Sequence, residues 1–419
     1  MKYVTGIIIL LLIASCATSK RTIRNNALEH AHTANYLLGF KIYDPEKDKS
    51  ILEYNANRYF NPASTTKIFT LYTSLRLLGD SVPSFRYMEQ KDTLFIYPTG
   101  DPTLLHPYFK QEKAIQLIKS TEASTVFINT SAYKDELYGP GWSWEDYMFY
   151  FMPERNAFPL YGNVVETFTR EDSLMVQPSL FRDYATISEA PYTRPYRENL
   201  FYHVPLNGDT LHIPYITGDS LTKKIVAQLT GKNVATGSHS PYPVSGNLVR
   251  SIPSDSLYKR MMEKSDNFLA EQMMVLGSSQ LFSDTLSVKK TIAYSLDSLL
   301  NDIPQKPRWV DGSGLSRYNL FTPESFIYIL GKLYHLINRE RLYQFFPIGN
   351  NTDGTFGSQP RSIYAKSGYF SNNYCLSGYL VTKSGKTLFF SFMANHYKIP
   401  TNEIKDQAVQ LLTYVRERY

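Results

Sequence analysis

Cysteine is nearly missing from this chain of 419 residues, in which Cys16 and Cys375 are the only two. A fold with so few thiols cannot be a disulfide scaffold or contain a cysteine-rich metal site. Cys375 lies in an apolar stretch and is predicted to be a buried small hydrophobe. A long apolar run is missing as well, because the N-terminal one, from Val4 to Ala14, is too short to cross a bilayer.

Dense blocks of one charge are also absent. The net charge of +6 is mild and spread along the chain, which argues against a nucleic-acid partner. The eight histidines show no metal-ligand spacing beyond His30 and His32, so no metal or other cofactor is implied.

The N-terminus has the layout of an export signal. Residues 1–15 combine a short basic start with an apolar run, as in a secretory signal peptide. The stretch from Ile13 to Cys16 resembles the bacterial lipobox, in which the cysteine is lipid-modified and becomes the first mature residue. We therefore expect an exported, periplasmic protein attached to a membrane through lipid on Cys16, with residues 16–26 as a polar tether. Ordinary signal cleavage beside an incidental cysteine is the alternative.

The chain is organised around the stretch from Asn61 to Thr70. Pro62 suits the approach to a helix, and apolar residues recur at helical spacing from Ser64 until Gly79. Ser64 and Lys67 therefore share one face of the first turn, where a desolvated lysine can act as the base for a serine nucleophile. The Ser-x-x-Lys pattern alone is weak, because it recurs at Ser220/Lys223, Ser256/Lys259 and Ser287/Lys290.

The remaining pattern divides the chain into three parts. A hairpin is predicted over residues 39–54, ahead of the serine helix. Short strands with Pro/Gly turns then dominate to about residue 245, with occasional helices and an Asn207-Gly208 turn. Helical patterning returns near residue 254, and two strands precede a final helix over residues 401–418.

Two further groups of polar residues are candidates for the same site. Ser265 and Asn267 are two residues apart, so both can face one cleft only where the backbone is irregular or a helix starts. Ser265 could equally be a helix cap. Lys366, Ser367 and Gly368 follow a strand-like run and would let a substrate lie against the strand edge. A second Lys-Ser-Gly, at residues 383–385, is predicted to be a hairpin turn.

These motifs in this order are the signature set of penicillin-binding proteins and class A β-lactamases. The chain resembles the D-alanyl-D-alanine carboxypeptidase/endopeptidase family of penicillin-binding protein 4 (DacB) type, low-molecular-mass class C, from about Gly39 to the C-terminus. Further matching stretches are residues 59–67, 100–104, 264–271, 311–317 and 353–356. Two positions depart from the family pattern, because serine replaces the usual threonine at Ser367 and the large Tyr369 follows Gly368.

The resemblance implies a role for each site residue. Ser64 would be the nucleophile, Lys67 its base and Ser265 the proton relay to the leaving nitrogen. Asn267, Lys366, Ser367 and Gly368 would bind substrate. The backbone N–H groups of Ser64 and Tyr369 would form the oxyanion hole. The loop over residues 311–317 is interpreted as structural.

The resemblance also implies the fold and the partners. An α+β, serine β-lactamase/transpeptidase-like domain, with an antiparallel sheet flanked by helices, is expected over residues 27–85 and 246–419. A large, mostly β insertion is expected at residues 86–245. The partners would be a peptidoglycan stem peptide and β-lactam antibiotics, which would act as covalent inhibitors.

Three alternatives remain open. A β-lactamase of class A needs a glutamate that activates the deacylating water, and no convincing Glu-x-x-x-Asn loop occurs outside the insertion. An esterase of the same fold would use the same nucleophile. A catalytically inactive lipoprotein could use the cleft to bind the cell wall.

Overall fold

The computed structural model describes residues 21–171, 173–204, 210–238, 247–346 and 362–419. Cys16, the Asn207-Gly208 turn and residues 353–356 lie outside these ranges. The chain separates into two compact units. The first contains the residues up to Ile68, Asp302–Trp309 and Arg317–Tyr419, and the second contains Phe69–Asn301 and Val310–Ser316.

The first unit is built on a five-stranded antiparallel sheet in the order β13-β14-β15-β1-β2. The strands are β1 (Leu37–Asp44), β2 (Lys49–Tyr54), β13 (Ile363–Phe370), β14 (Asn373–Val381) and β15 (Thr387–Asn395). The predicted hairpin and the two predicted C-terminal strands are confirmed. Residues 21–33 form helix α1, so the predicted tether is helical from residue 21 onward.

Helices cover both faces of this sheet, and every residue of the central strand β15 is therefore buried. On one face lies α10 (Thr401–Arg418), whose apolar stripe packs into the core. On the other face lies α8 (Pro323–Leu336), where the ring of Tyr334 is 5.1 Å from that of Phe389. A short helix, α9 (Arg339–Gln344), follows it. The predicted antiparallel sheet flanked by helices is confirmed.

Helix α2 (Lys67–Leu77) begins in the first unit and continues into the second. The second unit contains a five-stranded mixed sheet in the order β11-β5-β4-β3-β12, in which β4, β5 and β11 run parallel. Its strands are β3 (Ser81–Gln90), β4 (Thr93–Pro98), β5 (Thr125–Asn129), β11 (Asn233–Gly237) and β12 (Asn247–Pro253). Parallel neighbours need a crossover, and α3 (Lys113–Ser120) supplies the one between β4 and β5.

Smaller sheets complete the region predicted to be mostly β. Strands β6 (Val164–Arg170), β7 (Ser173–Gln177) and β10 (Leu211–Pro214) form one, and β8 (Ala185–Ile187) pairs with β9 (Phe201–His203). Helix α4 (Asp219–Thr230) buries Ile225 and Val226 in the same core as α3.

Helices return after this region, as predicted, and they are interrupted at the second candidate motif. Two helices, α5 (Ser254–Lys264) and α6 (Asn267–Leu281), are separated by Ser265 and Asp266. Helix α7 (Val288–Tyr294) and a π-helical turn over Ser295–Leu299 follow.

Candidate active site

The serine motif lies in a tight turn of the first unit. Ala63–Thr66 form a 3₁₀ turn rather than the first turn of the predicted α-helix, which starts only at Lys67. Ala63 has a φ of 47°, and its N–H donates to Asn61 Oδ1 at 3.1 Å. The Thr65 hydroxyl donates to the carbonyl of Pro62 at 2.7 Å, so local bonds hold the half-buried Ser64 in place.

Lys67 is fully buried, and its Nζ lies 3.1 Å from Ser64 Oγ. This is hydrogen-bond distance, which a base needs in order to take the hydroxyl proton. Burial removes the water that stabilises an ammonium in solution. The predicted pair is therefore assembled as the chemistry requires.

The other copies of the pattern are different. Ser220, Lys223, Ser256 and Lys259 are all exposed. Ser287 caps α7 by accepting the backbone N–H of Lys290 at 3.1 Å. Ser287 is therefore a structural cap.

The Lys-Ser-Gly motif lies on β13 of the same unit. Lys366 is buried, and its Nζ donates to the carbonyl of Ser367 at 2.9 Å. A Cβ on Gly368 would lie 2.4 Å from the Pro62 carbonyl oxygen and 2.8 Å from the Ser64 nitrogen. Only glycine allows the strand to approach the serine turn this closely. The structure thus brings Ser64, Lys67 and Gly368 together.

The residues on either side of Gly368 differ in solvent exposure. The side chain of Ser367 is half-buried, whereas Tyr369 points into solvent. The duplicate motif at residues 383–385 forms the turn between β14 and β15, where Gly385 has a φ of 83°. Lys383 there is exposed and pairs with Glu417. The hairpin turn predicted for the duplicate is confirmed.

The support beneath the serine turn was not predicted from the sequence. Asn395, at the end of β15, accepts the Asn61 N–H at 2.7 Å and donates back to its carbonyl at 3.2 Å. Cys375 on β14 contacts the same carbonyl at 3.4 Å and is buried as predicted, and burial raises the pKa of its thiol. No spacing in the sequence identifies Asn395, because its partner is 334 residues away.

Ser265 and Asn267 belong to the second unit. Ser265 ends α5 in the left-handed conformation, with a φ of 55°, and Asp266 caps α6 by accepting the N–H of Leu269 at 2.9 Å. This is the irregular backbone that the motif requires. Asn267 is buried, and its Nδ2 donates to the carbonyl of Phe151 at 3.0 Å.

A buried ion pair lies one turn further along α6. Glu271 Oε2 accepts from Arg155 Nη1 at 3.0 Å, and Oε1 accepts the N–H of Ser313 at 2.7 Å. Burial raises the pKa of the Glu271 carboxyl and the nearby Asp311 acts in the same direction, while Arg155 and Ser313 oppose the rise. Sequence analysis had no signal for Arg155, because no motif contains it.

Asp311 organises the adjoining loop. It is fully buried and accepts hydrogen bonds from Trp142 Nε1 at 2.9 Å and from the N–H groups of Gly314 at 2.9 Å and Ser316 at 2.6 Å. These contacts are those of a structural loop, as the sequence analysis interpreted it. Arg155, Glu271 and Asp311 thus join three separate stretches of the second unit.

Asn267 also lines a cleft of about 600 Å³ in this unit, together with Phe151, Tyr150, Arg260 and His106. Within the described ranges no three histidine, cysteine, aspartate or glutamate side chains come together as a metal site.

Known proteins resemble this chain over most of its length. A relative in Haemophilus influenzae, D-alanyl-D-alanine carboxypeptidase DacB, is 24% identical over an alignment 449 positions long, which covers 91% of this chain and 90% of the relative. The crystal structure of penicillin binding protein 4 (dacB) from the same organism superposes with a TM-score of 0.73 at 19% identity, over 91% of this chain and 97% of that one.

More distant structures share the fold. A predatory endopeptidase of Bdellovibrio bacteriovorus, solved in complex with an immunity protein, superposes with a TM-score of 0.53 at 13% identity, over 90% of this chain and 94% of that one. These structural matches establish the α+β fold.

The family model described as D-Ala-D-Ala carboxypeptidase 3 (S13) matches residues 23–192 and 220–415, which are most of the chain. The order of motifs, the assembled Ser64–Lys67 pair and this match agree. The chain therefore belongs to the D-Ala-D-Ala carboxypeptidase 3 (S13) family, which confirms the enzyme class predicted from its motifs.

Proposed function

We propose that this protein cleaves the terminal D-Ala-D-Ala bond of peptidoglycan stem peptides through an acyl-enzyme on Ser64. The observation that supports it is the buried Lys67 Nζ at 3.1 Å from Ser64 Oγ. A serine–amine contact shielded from water is what nucleophilic catalysis needs from a lysine base.

The reaction has two steps. Ser64 Oγ attacks the carbonyl carbon between the two D-alanines while Lys67 accepts the hydroxyl proton. The C–N bond then breaks, and the proton passes to the nitrogen of the departing D-alanine, leaving an ester on Ser64. Water hydrolyses that ester in the second step. A β-lactam ring would open in the same way and remain attached as a covalent inhibitor, and the H. influenzae protein has been crystallised with a β-lactam.

Strand β13 would hold the substrate in this reaction. Lys366 and the Ser367 hydroxyl would bind the terminal carboxylate, a charge-assisted contact. The backbone N–H groups of Ser64 and Tyr369 would form the oxyanion hole, worth about 3 kcal/mol per donor. The close approach of Gly368 to the nitrogen of Ser64 supports this assignment.

Ser265 and Asn267 complete the proposed machinery through their motif. Ser265 would relay the proton to the leaving nitrogen, and Asn267 would bind the substrate amide. Ser265 lies at the break between α5 and α6, where its backbone adopts a conformation that is unusual for serine. This conformation supports a functional role for the motif rather than one in helix packing.

For the cellular localisation, we propose that residues 1–15 direct export and that lipid on Cys16 attaches the protein to a membrane. In the part of the chain that the structure describes, none of the helices combines the length and apolar character needed to cross a bilayer. The mature N-terminus of the membrane fraction, read by mass spectrometry, should be a lipidated Cys16. Any other N-terminus would contradict the proposal.

Fluorescent penicillin labelling followed by peptide mapping tests the catalytic proposal. The label should map to Ser64, and Ser64→Ala should abolish it. Rapid release of hydrolysed penicillin would indicate a β-lactamase instead. Release of D-alanine from a stem pentapeptide, compared with cleavage of a cross-linked dimer and of simple esters, separates carboxypeptidase, endopeptidase and esterase action. Absence of both label and turnover would indicate an inactive wall-binding protein.

A further inference from the structure

The second unit exposes a group of aromatic rings that none of the roles above uses. Trp144 is 63% exposed and Tyr196 is 48% exposed, and their ring centroids are 5.8 Å apart. Tyr147 lies beside them, with its ring 5.0 Å from that of Tyr196. These three residues are called the aromatic surface below. Exposed clusters of large apolar side chains commonly mark binding sites.

A buried arginine connects the two tyrosines of the aromatic surface. Arg194 is fully buried, and its guanidinium donates to the carbonyls of Tyr196 at 3.3 Å, Glu198 at 3.3 Å and Tyr147 at 3.3 Å. It also lies 5.0 Å from the centroid of the Tyr147 ring. Burying a guanidinium is costly, and burial lowers the pKa of Arg194. This cost is understandable if the rings must keep a fixed arrangement for a ligand.

The same chain segment also contributes to the cleft that Asn267 lines. Tyr150 and Phe151 follow Tyr147 in the chain and line the cleft of about 600 Å³ that Asn267 also lines. The carbonyl of Phe151 accepts the Asn267 side-chain amide. A ligand on the aromatic surface would therefore be bound by the same chain segment that contributes Tyr150 and Phe151 to this cleft.

The size and chemistry of the aromatic surface identify the kind of ligand. A ring of this type buries roughly 150–250 Å² at most, so three partly exposed rings fall well short of the ~800 Å² per partner of a stable protein interface. Flat rings with polar edges, and Arg197 beside Tyr196, match instead a pyranose, which has an apolar C–H face and hydroxyls around its rim.

We propose that the aromatic surface binds the glycan strand of peptidoglycan by stacking against its sugar rings. This inference rests on the proposed function, because the stem peptide that the enzyme would cleave is attached to such a strand. Contact with the glycan would hold the enzyme on the polymer while the peptide occupies the catalytic site, and it would raise the local substrate concentration.

The test compares the wild-type protein with Trp144→Ala/Tyr196→Ala, and with Tyr184→Ala as a control. Tyr184 is 53% exposed in the same unit but outside the aromatic surface. The probe is peptide-free glycan strands, prepared from sacculi with an amidase, and intact sacculi serve as substrate. The double variant should bind the strands about tenfold more weakly. It should also release less D-alanine from sacculi.

Fluorescent penicillin labelling and cleavage of a short soluble D-Ala-D-Ala peptide should be unchanged in both variants, because neither reagent contains sugar. Equal glycan binding by the wild type and the double variant would overturn the inference and favour another partner. If the wild-type protein is not labelled by penicillin, the proposed function is contradicted. The glycan-binding measurement would still show whether the aromatic surface binds glycan.

Discussion

The two units hold their motif residues by different physical means. In the first unit, β13 passes so close to the serine turn that Gly368 has no room for a side chain, and the side chains that support the turn, such as Asn395, are uncharged. In the second unit, the start of α6 is tied to its surroundings by side chains, and these include the buried ion pair of Arg155 and Glu271. Close packing therefore positions the motif in the first unit, whereas a buried ion pair supports the motif in the second unit.

The comparison also explains how each unit should respond to substitution. A shape-based contact tolerates changes elsewhere but not a single added methyl group. A buried ion pair tolerates loss of both charges better than loss of one, because one remaining charge is left without a partner. The predictions below test these two expectations.

The largest effect is expected for Lys67→Arg. Arginine is similar in length but stays protonated, so it cannot accept the proton of the Ser64 hydroxyl. Penicillin acylation should fall by roughly 10²–10⁴-fold, the range for removal of a general base. Lys290→Arg is the matched control, since Ser287 only caps a helix. An unchanged acylation rate in a folded Lys67→Arg variant would mean that the base lies elsewhere.

Arg155→Met tests the charge-based support of the second unit. The substitution leaves Glu271 buried without its cation, which should lower the free energy of unfolding by about 3–5 kcal/mol. Arg155→Met/Glu271→Gln should recover much of this loss, because glutamine can still accept the N–H of Ser313 without carrying a charge. Denaturant unfolding measures both. Equal losses in the single and double variants would show that packing, rather than charge, is responsible.

Gly368→Ala tests the shape-based contact of the first unit. The three atoms nearest to the added methyl group would be backbone atoms of Pro62, Ser64 and Thr65, which cannot rotate away. The turn must then shift, and a displacement near 1 Å at a reacting group can cost about 100-fold in rate. Gly331→Ala is the control, because its nearest neighbour would be at an ordinary 3.6 Å. Acylation at the wild-type rate would show that the contact has no influence on Ser64.

The difference between local backbone restrictions and distant side-chain partners also explains what could be predicted from the sequence. Pro62, Gly368 and the apolar spacing after Ser64 restrict the local backbone, so the serine turn, β13 and the flanking helices were predictable from neighbouring residues. The 3₁₀ form of the turn depends on Asn61 and Ala63 and was missed. Arg155 and Asn395 act across more than 100 residues through side chains, and no local pattern reveals such partners.

The smallest effect is expected for the dependence of the unfolding free energy on pH, through His106 of the second unit. His106 is buried, its Nδ1 accepts the N–H of Tyr108 at 3.1 Å, and burial lowers its pKa from 6.5 to about 4. Arg260 and His212 act in the same direction, and Asp266 opposes them.

Between pH 6.5 and 4 the unfolded chain binds a proton at His106 that the native protein does not, so stability falls as the pH falls. From pH 6.5 to 5 the loss should be about 1.5 kcal/mol. His106→Asn offers an oxygen near the position of Nδ1 without a titrating ring, so its unfolding free energy should fall less over this interval. Exposed His335→Asn should keep the wild-type slope. Denaturant unfolding at both pH values provides the measurement, and identical slopes for wild type and His106→Asn would assign the acid sensitivity to other groups.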